Sequence, residues 1–326
     1  MLRRLARQAA AMGSSAAPID VRPLLAIGLK VVSVAIFVGM STLIKASGQV
    51  PAGQIVFYRS LFAIVPIFVF LVWQRELLTA FHTSKPVSHV LRGLVGVSSM
   101  MLSFFALTRL PLPDAITLNY AQPLLVVIFG AVFLGETVRI YRWSAVVVGL
   151  VGVVIIAWPN LTLFTSGATI ESDQAWGVAA MLGSATISAC VVLLVRRLVL
   201  TEKSSTIVLW FSLTSAVAAL VTIPFGWISL TTEQYVFLIG SGLCGGVAQI
   251  LMTESYRQGD VSIIAPFEYT SMILGIIVGY LVFGDVPTIH MIVGGAIVIA
   301  SGTFIIWREH RLGLERSKAR RVTPPQ

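Results

Sequence analysis

The chain has 326 residues, of which 56% are hydrophobic and 11% charged, and its mean hydropathy is +0.90; ordinary soluble domains carry roughly 25% charged residues. That balance excludes a soluble globular protein and makes the bilayer the solvent. The formal net charge of +9 is accounted for by membrane topology and anionic headgroups, so nucleic acid is not expected as a partner.

Residues 1–23 begin "MLRRLARQAAAMGSSAAP", basic and rich in small side chains, without the apolar core of a signal peptide, and read as a cytoplasmic tail. At roughly 20 apolar residues per crossing, ten spans follow, at about 24 to 45, 54 to 73, 89 to 108, 113 to 134, 142 to 158, 176 to 195, 206 to 227, 235 to 256, 261 to 283 and 289 to 307. Connections such as "KASGQVPAG", "TSKPVS" and "TEKSST" carry the Gly, Pro, Ser, Thr and charge of water-exposed turns. None has room for a soluble catalytic or nucleotide-binding domain, and no GxxxxGK[ST] phosphate loop occurs. Cys190 and Cys244 both fall within spans, and the four histidines are scattered near span ends. No disulfide framework, metal site, cofactor or catalytic constellation is expected, and the chain does not read as an enzyme.

Basic residues of short loops stay on the cytoplasmic side. With the N-terminus inside, Lys45 and Arg109 are the two basic residues in outside loops, Lys30 and Arg59 lie within spans, and all other Lys and Arg residues fall at the inner ends or in the tails. Both termini are then cytoplasmic, with 308–326 a basic C-terminal tail and 159–174 an acidic external linker.

A shift of 149 residues places "GLVGVSSMMLSFFAL" (93 to 107) on "GLCGGVAQILMTESY" (242 to 256) and "LNYAQPLLVVIFGAVFLGE" (118 to 136) on "FEYTSMILGIIVGYLVFGD" (267 to 285). Gly93, Gly96, Tyr120, Gly130 and Trp158 thereby meet Gly242, Gly245, Tyr269, Gly279 and Trp307. A shift of 152 places "IVFYRSL" on "IVLWFSL", so that Arg59 meets Phe211. The chain therefore reads as two five-span repeats, 24–158 and 175–307. Five is odd, so the second repeat is inverted relative to the first. That construction is found in secondary transporters, whose substrate site lies near the midplane between the repeats.

Together with "RGLVGVSSMMLSFFALTRLPLPDA" and "YRQGDVSIIAPFEYTSMILGIIVGYLVFGD", these repeats resemble the EamA type of the drug/metabolite transporter superfamily, in particular its S-adenosylmethionine uptake branch and, more distantly, amino-acid exporters. The resemblance covers residues 24 to 307. It implies a bacterial inner-membrane carrier with a central cavity lined by spans 1, 3, 4, 6, 8 and 9, and does not transfer a substrate.

Glu268 is the informative charge. It lies roughly 10 Å into span nine at 1.5 Å per residue, where a carboxylate faces the bundle interior or a watery cavity. Glu268, Ser271, Gly275 and Gly279 share one helical face, and Asn119, Gln122, Val126 and Gly130 form the matching stripe of span four. Pro123 has no amide hydrogen and leaves the carbonyl of Asn119 without its helical donor; Pro266 stands near the start of span nine.

The expected substrate site is Asn119, Tyr120, Gln122, Glu268, Tyr269 and Ser271, with Gln249 and Ser99 flanking it and Pro123 as the helix break. Glu268 is either a proton-coupling site or a fixed anion for a cationic group on the substrate. Lys30 and Arg92 are expected to snorkel to the cytoplasmic face and Arg59 to the outer one. The function expected is alternating-access transport of a small amphipathic metabolite, such as an amino acid or an S-adenosylmethionine-like compound; the alternative is a non-transporting assembly subunit of a membrane complex. The topology has a direct check: cysteines placed at Ser166 and Ser204 should be labelled by impermeant maleimide from outside and from inside respectively, and the reverse pattern overturns the orientation of every loop.

Overall fold

The structure is a computed structural model. It describes residues 23–76, 80–83, 85–134, 140–165, 173–198, 202, 204–258 and 265–322. The N-terminal tail up to residue 22, the start of the ninth span at 261–264 and residues 166–172 of the proposed external linker lie outside the described residues.

Every regular element among the described residues is helical. The first repeat comprises α1 (Pro23–Ala46), α2 (Ala52–Trp73), α3 (Pro86–Leu107), the pair α4 (Leu112–Asn119) and α5 (Ala121–Leu134), and α6 (Ile140–Thr165). The second comprises α7 (Asp173–Leu198), α8 (Ser204–Leu220), α9 (Thr232–Gln258), a ninth pass that changes pitch twice, and α11 (Ile289–Val322). That ninth pass enters as a 3-10 turn, Ala265–Tyr269, continues as α10 (Thr270–Val278) and leaves as a π-helical turn, Gly279–Phe283. Among the described residues eight passes are long and apolar enough to cross a membrane, and Ser205–Leu220 and Phe267–Phe283 are shorter apolar segments. Helix is the only option for an open chain in hydrocarbon, because every backbone N–H and C=O must be partnered within the segment.

Three boundaries differ from the sequence expectation. The seventh span stops at Leu220 rather than 227, followed by a 3-10 turn at Ile223–Phe225 and a left-handed Gly226. Pro224 supplies no amide hydrogen and disfavours the helical conformation of the residue before it. Helix α6 runs past Pro159 to Thr165. The last helix continues through "REHRLGLERSKARRV" to Val322, a stretch dominated by strong helix formers.

The contacts between the halves obey the repeat. Helix α1 packs along α9, and its counterpart α7 packs along α3. Likewise α2 meets α9 as α8 meets α3, and α5 meets α7 as α10 meets α1, while α2 with α8 and α6 with α11 cross their own equivalents and α4 of the fourth span meets α10 of the ninth. Individual bonds repeat too: Ser184 Oγ donates to the carbonyl of Ser99 at 2.8 Å, and Ser33 Oγ donates to the carbonyl of Ala248 at 2.9 Å, where Ser99 and Ala248 are related by the 149-residue shift. Tertiary contacts follow a two-fold axis that the sequence halves share.

Small residues set how closely these helices approach. A Cβ on Gly93 would lie 2.5 Å from Thr214, and one on its equivalent Gly242 would lie 2.5 Å from Phe62. Helices α6 and α11 cross backbone to backbone, since a Cβ on Gly152 would lie 2.8 Å from the Gly294 carbonyl and one on Gly294 would lie 2.5 Å from the Gly152 carbonyl. Gly275 and Gly279 admit Ile116 and Pro113 of α4. Outward, Val65, Phe68, Val69, Val147, Val151 and Leu281 are exposed for contact with acyl chains, and Trp73, Trp158, Trp176 and Trp307 are exposed near span ends, as in interfacial aromatic belts.

The α6–α11 crossing can be tested against an open site. Gly294→Ala should destabilise the protein by about 1–3 kcal/mol, the range for overpacking, and lower its unfolding temperature in detergent. Gly28→Ala, with nothing within 4 Å of its Cβ, should leave that temperature unchanged.

Candidate functional site

The fourth and ninth spans, related by the repeat, are both interrupted. Pro123 cannot donate to Asn119, and one turn earlier the chain tightens, Tyr120 N donating to the Thr117 carbonyl at 3.1 Å. The break separates α4 from α5 at Tyr120; in the other half, the 3-10 turn gives way to α10 directly after Tyr269. Tyr120 and Tyr269 are equivalent under the 149-residue shift, so the match is closer than the offset prolines Pro123 and Pro266 indicate.

The two interruptions lie against one another and are hydrogen-bonded across the interface. The Tyr120 hydroxyl is paired with Ser271 Oγ, which in turn donates to the Glu268 carbonyl at 2.7 Å. The rings of Tyr120 and Tyr269 meet edge to face with centroids 5.1 Å apart at 76°. Gly302 on α11 leaves space for the second ring, since a Cβ there would sit 1.7 Å from the Tyr269 hydroxyl.

Around them is a cavity of about 500 Å³, lined by Asn119, Tyr120, Gln122, Pro123, Glu268, Tyr269 and Ser271 and walled by apolar side chains that include Phe37, Met40, Phe104 and Ile306. The structure thus brings these seven residues to one cavity. Ser99 lies in a second compartment of about 230 Å³, which shares Met40, Ser103, Phe104 and Asn119 with the first. There Ser99 Oγ meets Ser188 Oγ at 2.5 Å and Ser184 Oγ at 3.1 Å. Gln249, half-buried on α9, lines neither compartment. Among the described residues no group of three or more His, Cys, Asp and Glu side chains is placed to hold a metal ion.

The intramembrane cations depart from expectation. Lys30 does not snorkel: its side chain is fully buried and its ammonium group is paired with the Glu268 carboxylate. Helix α1 lies along α9 and α10, which encloses the lysine stem, and in a low-dielectric interior an opposite charge offsets part of the desolvation cost. Arg92 is also buried, its guanidinium 4.0 Å from the Phe211 ring centroid. Arg59 is 6% exposed and borders the smaller compartment. Lys30 and Glu268 are 238 residues apart, and nothing in local periodicity pairs them.

At the other end of α1, Lys45 Nζ stands 3.0 Å from Asp285 Oδ2 and donates to the Leu110 carbonyl at 2.7 Å. Asp285 Oδ2 also accepts from Leu112 N at 3.0 Å. This cluster ties α1, the entry to α4 and the turn after the ninth pass together.

The Lys30–Glu268 pair is unequal, because the lysine is fully enclosed while the Glu268 side chain is 43% exposed. Removing one partner of a buried pair costs about 3–5 kcal/mol. Glu268→Gln, which takes the carboxylate from a fully buried ammonium, should fall near that range; Lys30→Met, which leaves a carboxylate facing the cavity, should cost less. The double substitution should recover most of the loss, and unfolding temperatures in detergent for the three variants check the order.

The EamA-like transporter family profile matches residues 24–158 and 175–307. The chain is 29% identical over 268 residues to the pseudopaline exporter CntI of Pseudomonas aeruginosa, a match covering 80% of this chain and 89% of that one. It is 24% identical to the S-adenosylmethionine uptake transporter of Rickettsia bellii, over 79% of this chain and 84% of that one, and 28% identical to the riboflavin transporter of Vibrio cholerae, over 71% and 75% respectively. A solved crystal structure with 18% identity superposes with a TM-score of 0.61, covering 86% of this chain and 96% of its own, and shares the fold. The relatives are transporters of small molecules rather than enzymes. With both halves matched, the chain belongs to the EamA-like transporter family.

Proposed function

We propose that the protein is a secondary transporter which carries a small amphipathic metabolite across a bacterial inner membrane by alternating access, with Asn119, Tyr120, Gln122, Glu268, Tyr269 and Ser271 as its substrate site. The observation that carries this reading is the cavity itself, formed where two repeat-equivalent interrupted segments cross. Irregular backbone at membrane depth is tolerated where it lines a cavity, and such breaks mark binding sites in transporters built from inverted repeats. The names of the relatives support a metabolite with polar and ring-bearing parts, and the cavity offers two phenol rings, two carboxamides and a carboxylate beside apolar walls.

In this reading the repeats 24–158 and 175–307 rock about their shared axis. The Lys45–Asp285 cluster is the closed gate on one side and opens when the halves tilt. Glu268 acts as a fixed anion paired with Lys30 while the site is empty, and both termini are cytoplasmic.

Proteoliposomes loaded with unlabelled S-adenosylmethionine, riboflavin or an amino-acid mixture should accumulate the matching radiolabelled compound by counterflow in at least one case. Pro123→Ala, which restores the donor to Asn119, should slow that exchange several-fold while leaving the protein folded. Absence of exchange for all three by monodisperse protein overturns transport of this substrate class.

A further inference from the structure

We infer that Arg59 forms a carboxylate-binding subsite at the far end of the cavity, so that the transported metabolite is an acid whose carboxylate enters the smaller compartment while its remaining bulk lies against Tyr120 and Tyr269. This deepens the proposed function and rests on it.

Arg59 is on α2, is 6% exposed and borders the compartment of about 230 Å³ that shares Met40 and Asn119 with the main cavity. Its Nε is buried and donates to nothing, and among the described residues no carboxylate pairs with its guanidinium. A charge at this depth is costly unless paired and hydrogen-bonded. The missing partner therefore comes from the cavity that the side chain faces.

The repeat shows that packing does not require this arginine. Its equivalent is Phe211. The two occupy matching places: a Cβ on Gly96 would lie 2.8 Å from the Phe211 ring, and a Cβ on the equivalent Gly245 would lie 3.1 Å from Arg59 Nε. One half fills that space with an aromatic ring, and the other fills it with a planar cation. A guanidinium is the side chain suited to a carboxylate, which it holds through two parallel hydrogen bonds. Across the compartment stand the hydroxyls of Ser99, Ser184 and Ser188. One cation in the lining matches a singly charged carboxylate; a phosphate dianion would need a second, and Arg92, whose guanidinium lies over the Phe211 ring, does not line the compartment.

The test compares acids with carboxylate-free analogues on purified protein in nanodiscs: S-adenosylmethionine against its decarboxylated form, L-phenylalanine against L-phenylalaninamide, and riboflavin, with dissociation constants from calorimetry. At least one acid should bind about tenfold or more tightly than its analogue, the scale of a charged hydrogen-bonded contact. Arg59→Gln should erase that preference and Arg59→Lys should keep part of it. Gly245→Ala, which crowds the guanidinium without removing it, should weaken the acid and spare the analogue. Equal binding of acid and analogue by the unmodified protein overturns the subsite whether or not the variants fold, as does a preference that survives Arg59→Gln. If riboflavin or an amide binds and exchanges while no acid does, the carboxylate subsite falls and transport stands; if no probe binds or exchanges, both fall.

Discussion

Hydrocarbon offers no hydrogen bonds, so each backbone group in a crossing segment must find its partner inside the protein. Helices satisfy that condition automatically, and a departure from helix is tolerated only where other groups take over. Here the departures fall at Tyr120, at Ala265–Tyr269 and at Gly279–Phe283. At the first two, the Tyr120 hydroxyl, Ser271 Oγ and the Glu268 carbonyl form one hydrogen-bonded chain between the interrupted spans. At the third, the chain is closed by a left-handed Gly284 and by Asp285, whose carboxylate holds Leu112 N and Lys45. The cavity and the Asp285 cluster both lie where the helical ladder is interrupted.

Around these breaks the scaffold is nearly symmetric while its chemistry is not. The glycines that set helix approach, the serine-to-carbonyl bonds from α1 and α7, and the pattern of helix pairs all recur in both halves. The residues at the cavity do not: Asn119 faces Glu268 across the repeat, Gln122 matches Ser271, and Phe211 matches Arg59. Close helix packing constrains the same contacts in both halves, whereas side chains that line an open cavity are not held to one shape by a neighbour. Symmetry is kept where packing decides and lost at the cavity lining.

The charges within the bundle follow from the same division. Lys30 is joined to the cavity-lining Glu268 and Lys45 to Asp285 at the other end of α1, while Arg59 belongs to neither pair and lines the smaller compartment. Each pair is satisfied within the protein and joins distant elements, while Arg59 lines the smaller compartment with its Nε unpartnered.

Much of this was legible in the residues. Composition dictated the membrane, the 149-residue shift exposed the repeat, and an odd number of spans in each repeat made it inverted. Period-three and period-four spacing put Asn119 with Gln122 and Glu268 with Ser271 on their faces, because those relations lie within one helix. What could not be read were relations across helices. From the chain alone Lys30 reaches water along its stem; only the packing of α1 on α9 and on the Ala265–Tyr269 turn encloses it and supplies Glu268. Gln249 shared a segment with cavity-facing neighbours, yet its helix position places it outside both compartments. The pitch change at Tyr120 lay one turn from the proline that causes it. The sequence by itself determined which segments cross, how the halves are related and which polar residues share a helical face, because these depend on local period and solvent; which distant side chains meet, and which charge is left for a ligand, was decided by the tertiary packing alone, because opposite charges and facing glycines act across space and leave no period in the chain.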